Sequence, residues 1–398
     1  MDPDRPAIEV FVPYLGTDAD RFAATVAPFE ESTGIDVQIV GSGSFAGDIQ
    51  DRVINADYPD VAMFPQPSLL LSFAARGVLT ALPDSLQPES ADDTLHTITD
   101  IGGVLYGLWF RASVKSLVWY RPSEFAENGY VVPETWDELA LLSDRMIEDG
   151  VAPWCIGMQS FGSTGWVGTD WIEDIVVRTY GPAVYDQWVT GELPFESSEI
   201  RGAFMTFGSI IHTKGSVLGG ASRILNESWQ RSADPMFVDP PECMMQRQAS
   251  FWVPNLPSGY VYGDDVDVFV LPGEEAGNPP IVAAGDIAGA FSDSPEVVAF
   301  MEYLATPESG EGWAQEGGFT SPHADFDQDA YSNEFDRLVG EELTTSELVR
   351  FDGSDLMPPE VGTGTFWNGM RSFVANGDLS AILTTIDDSW PRAVQFNE

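Results

Sequence analysis

The sequence predicts an α/β protein with two lobes, and three observations support this prediction. The chain has 398 residues, which is more than one typical hydrophobic core accommodates. Its hydrophobic content of 43%, with 12 Trp and 24 Phe, is typical of a globular protein rather than a disordered one. Short apolar runs alternate with helical patterns through the beginning of the chain, which favours βαβ units and a parallel sheet flanked by helices.

Three strand–helix pairs are predicted to open the chain. Each pair joins a short apolar run to a segment whose apolar residues recur at helical spacing. Gly34 and Gly77 stand where the first and third helices should end, and Pro28 predicts a kink in the first helix. The predicted strands are 8–12, 36–40 and 60–64, and the predicted helices are 18–32, 48–55 and 67–76.

The stretch YGLWFRASVKSLVWY (106–120) has few breakers and is predicted to be extended, carrying the chain out of the first lobe into a second. Beyond it, Thr135 and Glu138 have capping-box spacing and Gly150 follows, which predicts a helix over 135–150. Over 151–283 the sequence predicts more helices and a strand pair at 249–253 and 266–271. A strand at 281–284 is predicted to lead into Gly285–Asp286. Helices are predicted after Ser294 and Thr306, followed by a helical tail over 321–398.

The charge of the chain limits its partners. The net charge is −45, from 63 acidic and 18 basic residues, and Lys115 and Lys214 are the only lysines. Nucleic acids and anionic membrane surfaces are disfavoured, because both are bound through Lys and Arg, whereas a neutral or cationic small ligand is compatible. The acidity fits a saline habitat, where salt screens self-repulsion, or simple compositional drift.

Cys155 and Cys243 are the two cysteines of the chain. A disulfide between them would stabilise the fold by about 4–5 kcal/mol in the chain-entropy model and would need an oxidising compartment; the alternative is two buried free thiols. Their spacing is no metal pattern, and His96, His212 and His323 are too scattered to supply ligands. We expect no metal and no cofactor.

Two loop motifs carry weak signals. GSGSFAG (41–47) follows a predicted strand, but its glycines are spaced too widely for a dinucleotide loop and no Lys follows as in a phosphate-binding loop. Its amides and hydroxyls suit a sugar, so it is either a ligand-facing loop or a plain turn. DFDQDAYSNEFD (325–336) has calcium-loop spacing, but Ala330 replaces the required Gly and Asp336 the final Glu. Two interpretations of this segment are open: it binds calcium, or its acidic residues have this spacing by chance in a strongly acidic chain.

Nothing in the sequence favours catalysis. Glu173 and Asp174 adjoin an aromatic-rich turn, but adjacent helical residues point about 100° apart and do not flank one glycosidic bond. A nucleophile elbow of the G-x-S-x-G type is absent from the sequence. We therefore expect a protein that is not an enzyme.

Several tryptophans lie near Gly, Pro or Ser rather than in apolar stripes. Pyranose rings stack on aromatic planes, and Asp, Asn, Gln and Arg bind their hydroxyls. Core packing is the safer interpretation of any single Trp, but several in loops favour a carbohydrate site. This set comprises Trp166, Trp171, Trp229, Trp252, Trp313 and Trp367, whereas Trp119, Trp136, Trp188 and Trp390 are interpreted as structural.

Several segments resemble one protein family. AIEVFVPYLGTDADRFAATVAPFEESTGIDVQIV (7–40), YPDVAMFPQPSLL (58–70) and the stretch from Tyr106 to Gly150 are similar to the extracellular solute-binding proteins of ABC importers, most of all to the carbohydrate-binding group. TGWVGTDWIEDIV (164–176), the two cysteines, RQASFW and GGFTSPH resemble its α-glucoside branch. The resemblance implies a periplasmic-binding-protein fold (type II-like), with lobes at 1–111 plus 284–320 and at 112–283 plus 321–398. It also implies a secreted location, often with a lipid anchor, which fits a disulfide.

The same resemblance implies which side chains face the ligand. In the first lobe they are Ser44, Phe45, Gln66, Arg111, Gly285 and Asp286; in the second they are Trp166, Asp170, Trp229 and Trp367. Trp166 is expected to stack on a sugar ring and Asp170 to bind hydroxyls, while Trp171 packs inward; the roles of the two rings are open to exchange.

The resulting hypothesis is a monomeric receptor that closes its two lobes over a neutral α-glucoside, such as maltose, trehalose or sucrose, and delivers it to the membrane permease of an ABC importer. Two alternatives remain open. The same fold could bind a polyamine attracted by the acidic field, or the protein could be a glycoside hydrolase. The N-terminal segment MDPDRPAIEV has neither a basic region nor an apolar run, so a secretory leader is expected to be absent or already removed.

Overall fold

The computed structural model describes residues 6–86, 98–323 and 325–391; His96 lies outside this part of the chain. Two compact units are formed. The first comprises Met1–Val114, Ala249–Pro254 and Ala283–Thr345, and the second comprises Lys115–Gln248, Asn255–Val282 and Ser346–Glu398. Relative to the boundaries expected from the sequence, 112–114, 249–254, 283 and 321–345 fall in the first unit rather than the second.

The strands are, in chain order, β1 (Ala7–Val12), β2 (Asp36–Gly41), β3 (Val61–Phe64), β4 (Asp100–Ile101), β5 (Val104–Leu105), β6 (Leu108–Val114), β7 (Leu117–Tyr120), β8 (Ala152–Trp154), β9 (Cys243–Arg247), β10 (Asp267–Val270), β11 (Ile281–Ala290) and β12 (Val349–Phe351).

The α-helices are α1 (Thr17–Thr33), α2 (Phe45–Ile54), α3 (Pro67–Ala75), α4 (Pro122–Asn128), α5 (Trp136–Asp149), α6 (Trp166–Thr179), α7 (Pro182–Val189), α8 (Ser198–His212), α9 (Gly220–Asn226), α10 (Pro295–Leu304), α11 (Glu311–Glu316), α12 (Glu334–Thr345), α13 (Gly353–Leu356), α14 (Trp367–Val374) and α15 (Leu379–Asp387). A π-helical turn, Glu360–Phe366, leads into α14. None of the helices in the described residues is long and apolar enough to cross a membrane.

The first unit is built on a mixed sheet. β1 pairs in parallel with β2 and with β3, and β11 pairs antiparallel with β3 and with β6. Helix α1 buries Phe22, Val26 and Phe29 against this sheet's core, because these residues recur at helical spacing along one face. The three predicted strand–helix pairs are confirmed.

The second unit has a sheet of its own, in the order β10-β7-β9-β8. β7 pairs antiparallel with β10 and β9, and β8 pairs in parallel with β9. A disulfide joins Cys155, just after β8, to Cys243 at the start of β9, with 5.6 Å between the Cα atoms. The predicted disulfide is therefore present, and the alternative of two free thiols is wrong.

Helix α5 shows how the sequence fixes local structure. The Thr135 hydroxyl accepts the Glu138 amide at 3.2 Å, and Gly150 ends the helix in the left-handed conformation. The Glu138 carboxylate accepts the amide of Glu134, one residue before the cap. The helix and its capping hydroxyl are thus as predicted. In a capping box the Glu138 carboxylate would accept the amide of Thr135, and here it accepts the amide one residue earlier.

One predicted strand is wrong. Residues 249–253 were expected to pair with the strand at 266–271, but Ser250–Asn255 forms a 3₁₀ turn, and β10 pairs with β7 instead. Pro254 lies inside the turn and lacks an amide for a strand ladder. Trp252 is fully buried, and a short buried apolar run does not distinguish a strand from a turn by its pattern. The tail, described to residue 391, is mostly helical as predicted, with β12 as an exception.

Candidate ligand-binding site

Helix α6 places the residues of the second unit that the sequence analysis singled out. It begins at Trp166, directly after Gly165, whose φ is 133°. A Cβ at position 165 would lie 2.4 Å from the backbone oxygen of Trp367, so only glycine permits this approach. The aromatic-rich turn expected beside Glu173 is wrong, because residues 168–170 lie inside the helix. Gly168 serves packing, since a Cβ there would meet Met158 at 2.9 Å.

Trp166 and Trp229 form a pair of half-buried indoles. Their ring centroids are 5.3 Å apart with an interplanar angle of 72°, an edge-to-face arrangement that rigidifies both rings. In the set of tryptophans named above, the others are enclosed: Trp171, Trp252 and Trp313 are fully buried and Trp367 is 6% exposed. The inward packing predicted for Trp171 is confirmed. The Trp166–Trp229 pair is thus the part of that set that reaches the surface.

Lys115 lies beneath Trp166. Its Nζ is 5.4 Å from the centroid of the Trp166 ring, within the range of a cation–π contact. It donates hydrogen bonds to Asp170 at 3.1 Å and to Asp352. Burial alone would lower the pKa of Lys115, but Asp170 and Asp352 outweigh it and hold that pKa well above its ordinary value. These two carboxylates therefore favour the charged ammonium form of Lys115.

Asp170 is fully buried, and both of its carboxylate oxygens have partners. One accepts from Lys115, and the other accepts from Nη1 of Arg247 at 3.0 Å. A contact between Asp170 and a sugar hydroxyl remains a prediction, but it would require these partners to move. In this geometry Asp170 positions Lys115 and Arg247.

A second carboxylate on α6 completes the network. Asp174 accepts from Ser116 at 2.6 Å, from Arg178 at 2.5 Å and from Arg247 at 2.8 Å. Burial alone would raise the pKa of Asp174, but Arg178 and Arg247 bring it below its ordinary value. The intervening Glu173 accepts the amides of residues 353 and 354, each at 3.0 Å, which fixes the start of α13 against α6.

The sequence analysis missed Lys115, Arg247 and Asp352 as members of this site. Lys115 and Asp352 are separated by 237 positions, and no local pattern links residues at such a distance. A signal for Lys115 was nevertheless present. A chain with two lysines places one of them inside the apolar stretch 106–120, where a charged side chain needs a buried partner.

In the first unit, Arg111 and Asp286 form a buried ion pair. Nε of Arg111 donates to Asp286 at 2.7 Å, and the guanidinium lies over the rings of Trp313 and Tyr14, at 4.3 Å and 5.2 Å from their centroids. The two residues are neighbours across β6 and β11. Gly285 permits this pairing, because a Cβ there would lie 2.3 Å from the Arg111 backbone oxygen.

The other predicted residues of the first unit lie at two helix starts. Ser44 precedes α2 and is half-buried, whereas Phe45 is 4% exposed and stacks on Phe11 with centroids 5.1 Å apart. Gln66 precedes α3 and is 8% exposed. Within the described chain its Oε1 has no hydrogen-bond partner, and an unsatisfied buried acceptor of this kind is available to a ligand hydroxyl.

In the acidic segment 325–336, two carboxylates accept hydrogen bonds from the protein itself. Asp327 accepts the Asp329 amide at 2.9 Å, and Asp336 accepts from the Gly318 amide at 2.8 Å and from Asn333 at 2.9 Å. Over the described residues, the acidic groups whose ligand atoms converge are Asp170, Glu173 and Asp352 instead. Calcium binding by 325–336 remains an open alternative.

The comparisons with known proteins agree with one another. A family model described as bacterial extracellular solute-binding protein matches residues 15–311. The chain is 43% identical over 396 residues to the osmoprotective compounds-binding protein GgtB of Synechocystis sp., covering 98% of this chain and 94% of that protein. It is 36% identical over 397 residues to the alpha-glucosides-binding periplasmic protein AglE of Rhizobium meliloti, covering 96% and 86%.

Solved structures share the fold at low sequence identity. One of them, a chitin oligosaccharide binding protein, superimposes with a TM-score of 0.81 at 15% identity and covers 97% of this chain and 99% of its own. The predicted fold class, an α/β periplasmic-binding-protein fold with two lobes, is confirmed.

Proposed function

Because the chain belongs to the bacterial extracellular solute-binding proteins, the solute receptors of ABC importers, we propose that its solute is a neutral α-glucoside about the size of a disaccharide. Maltose, trehalose and sucrose are the candidates. The observation that carries the proposal is the Trp166–Trp229 pair, two half-buried indoles packed edge to face. Such rings suit the apolar face of a pyranose.

Two further facts support a neutral glucoside. The relatives at 43% and 36% identity are named for osmoprotective compounds and for alpha-glucosides. The net charge of −45 repels anionic solutes. A cationic solute is disfavoured for a different reason: the carboxylates that hold Lys115 against the Trp166 ring are already paired, Asp170 with Lys115 and Arg247, and Asp352 with Lys115.

We assign the roles as follows. Trp166 stacks on a sugar ring and Trp229 supports it edge-on. From the first unit, Gln66 offers an unsatisfied Oε1 to a hydroxyl, and the Ser44 hydroxyl stands at the half-buried start of α2. Arg111 and Asp286 form an ion pair that keeps the guanidinium donors and the carboxylate oxygens in fixed positions for the ligand.

The remaining predicted residues have supporting roles in this proposal. Phe45 packs behind the start of α2, and Gly285 permits the Arg111–Asp286 pairing. Trp367 is buried except for 6% of its surface, and its Nε1 has no hydrogen-bond partner in the part of the chain described, so this indole nitrogen is available to donate to the ligand. We revise Asp170 from a direct ligand to the partner of Lys115 and Arg247.

Binding is proposed to proceed by closure. A ligand that contacts both units shifts the population toward a closed form, and that form engages the importer's permease. The proposed receptor acts as a monomer, and a lipid anchor on its precursor would keep it at the membrane.

The test is isothermal calorimetry at moderate salt against maltose, trehalose, sucrose, glucose and spermidine. We expect one α-glucoside to bind with a Kd of about 1 μM or tighter, which corresponds to about −8 kcal/mol, without release of glucose. A response to spermidine with silence for every sugar would overturn the proposal in favour of a polyamine receptor. Glucose release would support a glycoside hydrolase instead.

A further inference from the structure

Lysine is scarce in this chain, and one of its two lysines is enclosed. Lys214 is exposed, whereas Lys115 is 5% exposed and is the first residue of the second unit. All other basic side chains apart from three histidines are arginines. An ammonium is a compact point charge with three rotatable donors, whereas a guanidinium is a planar fork. At this position the chain therefore presents a compact ammonium rather than a guanidinium fork.

The surroundings of Lys115 have the composition of a cation site. Asp170, Glu173 and Asp352 offer carboxylate oxygens that lie within 4.8 Å of one another, and all three side chains are buried. Oxygen ligands at such spacing suit a hard divalent cation. The Lys115 ammonium donates to two of the three, Asp170 and Asp352. The chain therefore supplies its own cation.

The same residue connects the Trp166 ring to the segments that pass between the two units. The Lys115 amide donates to the Val282 oxygen at 2.8 Å. The Val282 amide donates to the Ser116 hydroxyl at 2.9 Å, and that hydroxyl donates to Asp174 on α6. Lys115 is the first residue of the second unit after the chain leaves the first unit, and Val282 is the last residue of the second unit before the chain returns to the first. The ammonium and the backbone of Lys115 thus fix α6, with Trp166 at its start, to both segments.

We propose that Lys115 is a positioning residue: its ammonium fills a three-carboxylate site in place of a metal ion and holds the Trp166 ring in the orientation that binds the ligand. The part that concerns ligand affinity rests on the proposed function. The part that concerns the carboxylate site is independent of it. The two parts make separable predictions.

The first experiment removes the ammonium. Lys115→Ala leaves three carboxylates without it, and we expect calorimetry of this variant to show one site for Ca²⁺ or n-propylammonium in addition to any binding by the wild type and by the matched control Lys214→Ala. We also expect its Kd for the α-glucoside to rise about tenfold, in line with the loss of a buried cation–π contact, and n-propylammonium to restore it. A folded Lys115→Ala protein that binds neither cation beyond the wild-type level would overturn the proposal.

A second variant covers the case in which Lys115→Ala does not fold. Lys115→Met combined with Asp352→Asn removes the charge pair together, which a buried site tolerates better than the loss of one partner. The Asn oxygen can still accept the Asp355 amide that Asp352 accepts at 2.9 Å. We expect a near-native thermal midpoint with an affinity still about tenfold weaker. Wild-type affinity in this double variant would overturn the positioning role.

The wild-type titration separates the two proposals. If no sugar binds the wild type, the proposed function fails, and cation binding by Lys115→Ala still decides whether the carboxylate site is as inferred. If a sugar binds the wild type and the Lys115 variants alike, the proposed function stands and the positioning role fails.

Discussion

Asp336 in the first unit and Asp174 in the second are both enclosed carboxylates, yet their pKa values move in opposite directions. Burial raises the pKa of Asp336 to about 6, and the neutral donors Gly318 and Asn333 offset this only in part. Burial acts on Asp174 in the same sense, but Arg178 and Arg247 reverse the shift. Asp336 can therefore take up a proton, whereas Asp174 stays ionised because arginines face it. The contrast belongs to these two residues, since burial also raises the pKa of Glu173 in the second unit well above its ordinary value.

The two clusters of candidate residues differ in how their charges are shared. The first unit holds one cation and one anion, Arg111 and Asp286, covered by aromatic rings. The second holds a network in which Lys115 and Arg247 are each shared between carboxylates. A shared cation couples the positions of all its partners, so the second unit should be the more rigid platform and the more vulnerable to single substitutions.

The largest effect is expected from the disulfide, which only the second unit contains. Cys155→Ser with Cys243→Ser opens a loop with a sequence separation of 88, and the chain-entropy model predicts a loss of about 4–5 kcal/mol. Denaturant unfolding monitored by hydrogen exchange should show the loss in the second unit, with protection of β1 and β3 unchanged. Equal loss of protection in both units would mean that they do not unfold separately.

Removal of Arg247 should rank next. Arg247→Met leaves Asp170 and Asp174 buried without a shared partner, and we expect a loss of about 3–5 kcal/mol in the free energy of unfolding. Arg111→Met removes the ion-pair partner of a single carboxylate, Asp286. We therefore expect a smaller loss in the free energy of unfolding, about 2–3 kcal/mol. The matched control is Arg231→Met, whose side chain is 74% exposed beside Asp234 and should change stability by about 0.5 kcal/mol or less. A larger loss for Arg111 than for Arg247 would contradict the comparison.

The pH dependence of stability tests the first unit. The folded pKa of Asp336 is about 6 against an ordinary 3.8, so its stabilising effect is full below pH 3.8 and is lost as the pH rises through 6. The loss by pH 7 amounts to at most about 3 kcal/mol. Asp336→Asn cannot titrate, so its unfolding free energy relative to the wild type should increase from pH 4 to pH 7. The exposed neighbour Asp329 provides the control variant Asp329→Asn, and curves for wild type and Asp336→Asn that run parallel would refute the assignment.

The smallest effect concerns the ligand. Trp166→Ala should weaken α-glucoside binding by about 1–3 kcal/mol, through loss of stacking and aromatic burial. Trp136→Ala is the matched control, because Trp136 is another half-buried indole at a helix start of the same unit and has no role in the proposed site. Unchanged affinity in calorimetry for Trp166→Ala would remove Trp166 from the site, and an equal loss for both variants would indicate a general loss of stability.

Local signals in the sequence predicted much of the fold. Alternating patterns identified β1 to β3 with their helices, and a capping hydroxyl with a terminal glycine identified α5. The start of α6 was misinterpreted because Gly168 and Asp170 are turn formers by propensity, and tertiary packing on Met158 outweighs propensity there. The network around Lys115 was not predictable, because its carboxylates lie 55 and 237 positions away. Family resemblance predicted Trp166 and Asp170 as ligand-facing residues, which stays a prediction, and it did not reveal that Asp170 is enclosed.

The enclosure of Lys115 has a practical consequence for labelling. Amine-reactive dyes and linkers need an accessible, uncharged amine, and Lys115 is 5% exposed with its pKa held well above the ordinary value. Lys214 is the other lysine of the chain and lies exposed just after α8. Apart from the α-amino group, such reagents should therefore attach to a single side chain. Tethering through Lys214 would immobilise every molecule on a sensor surface in the same orientation, with the Trp166 end of α6 unmodified.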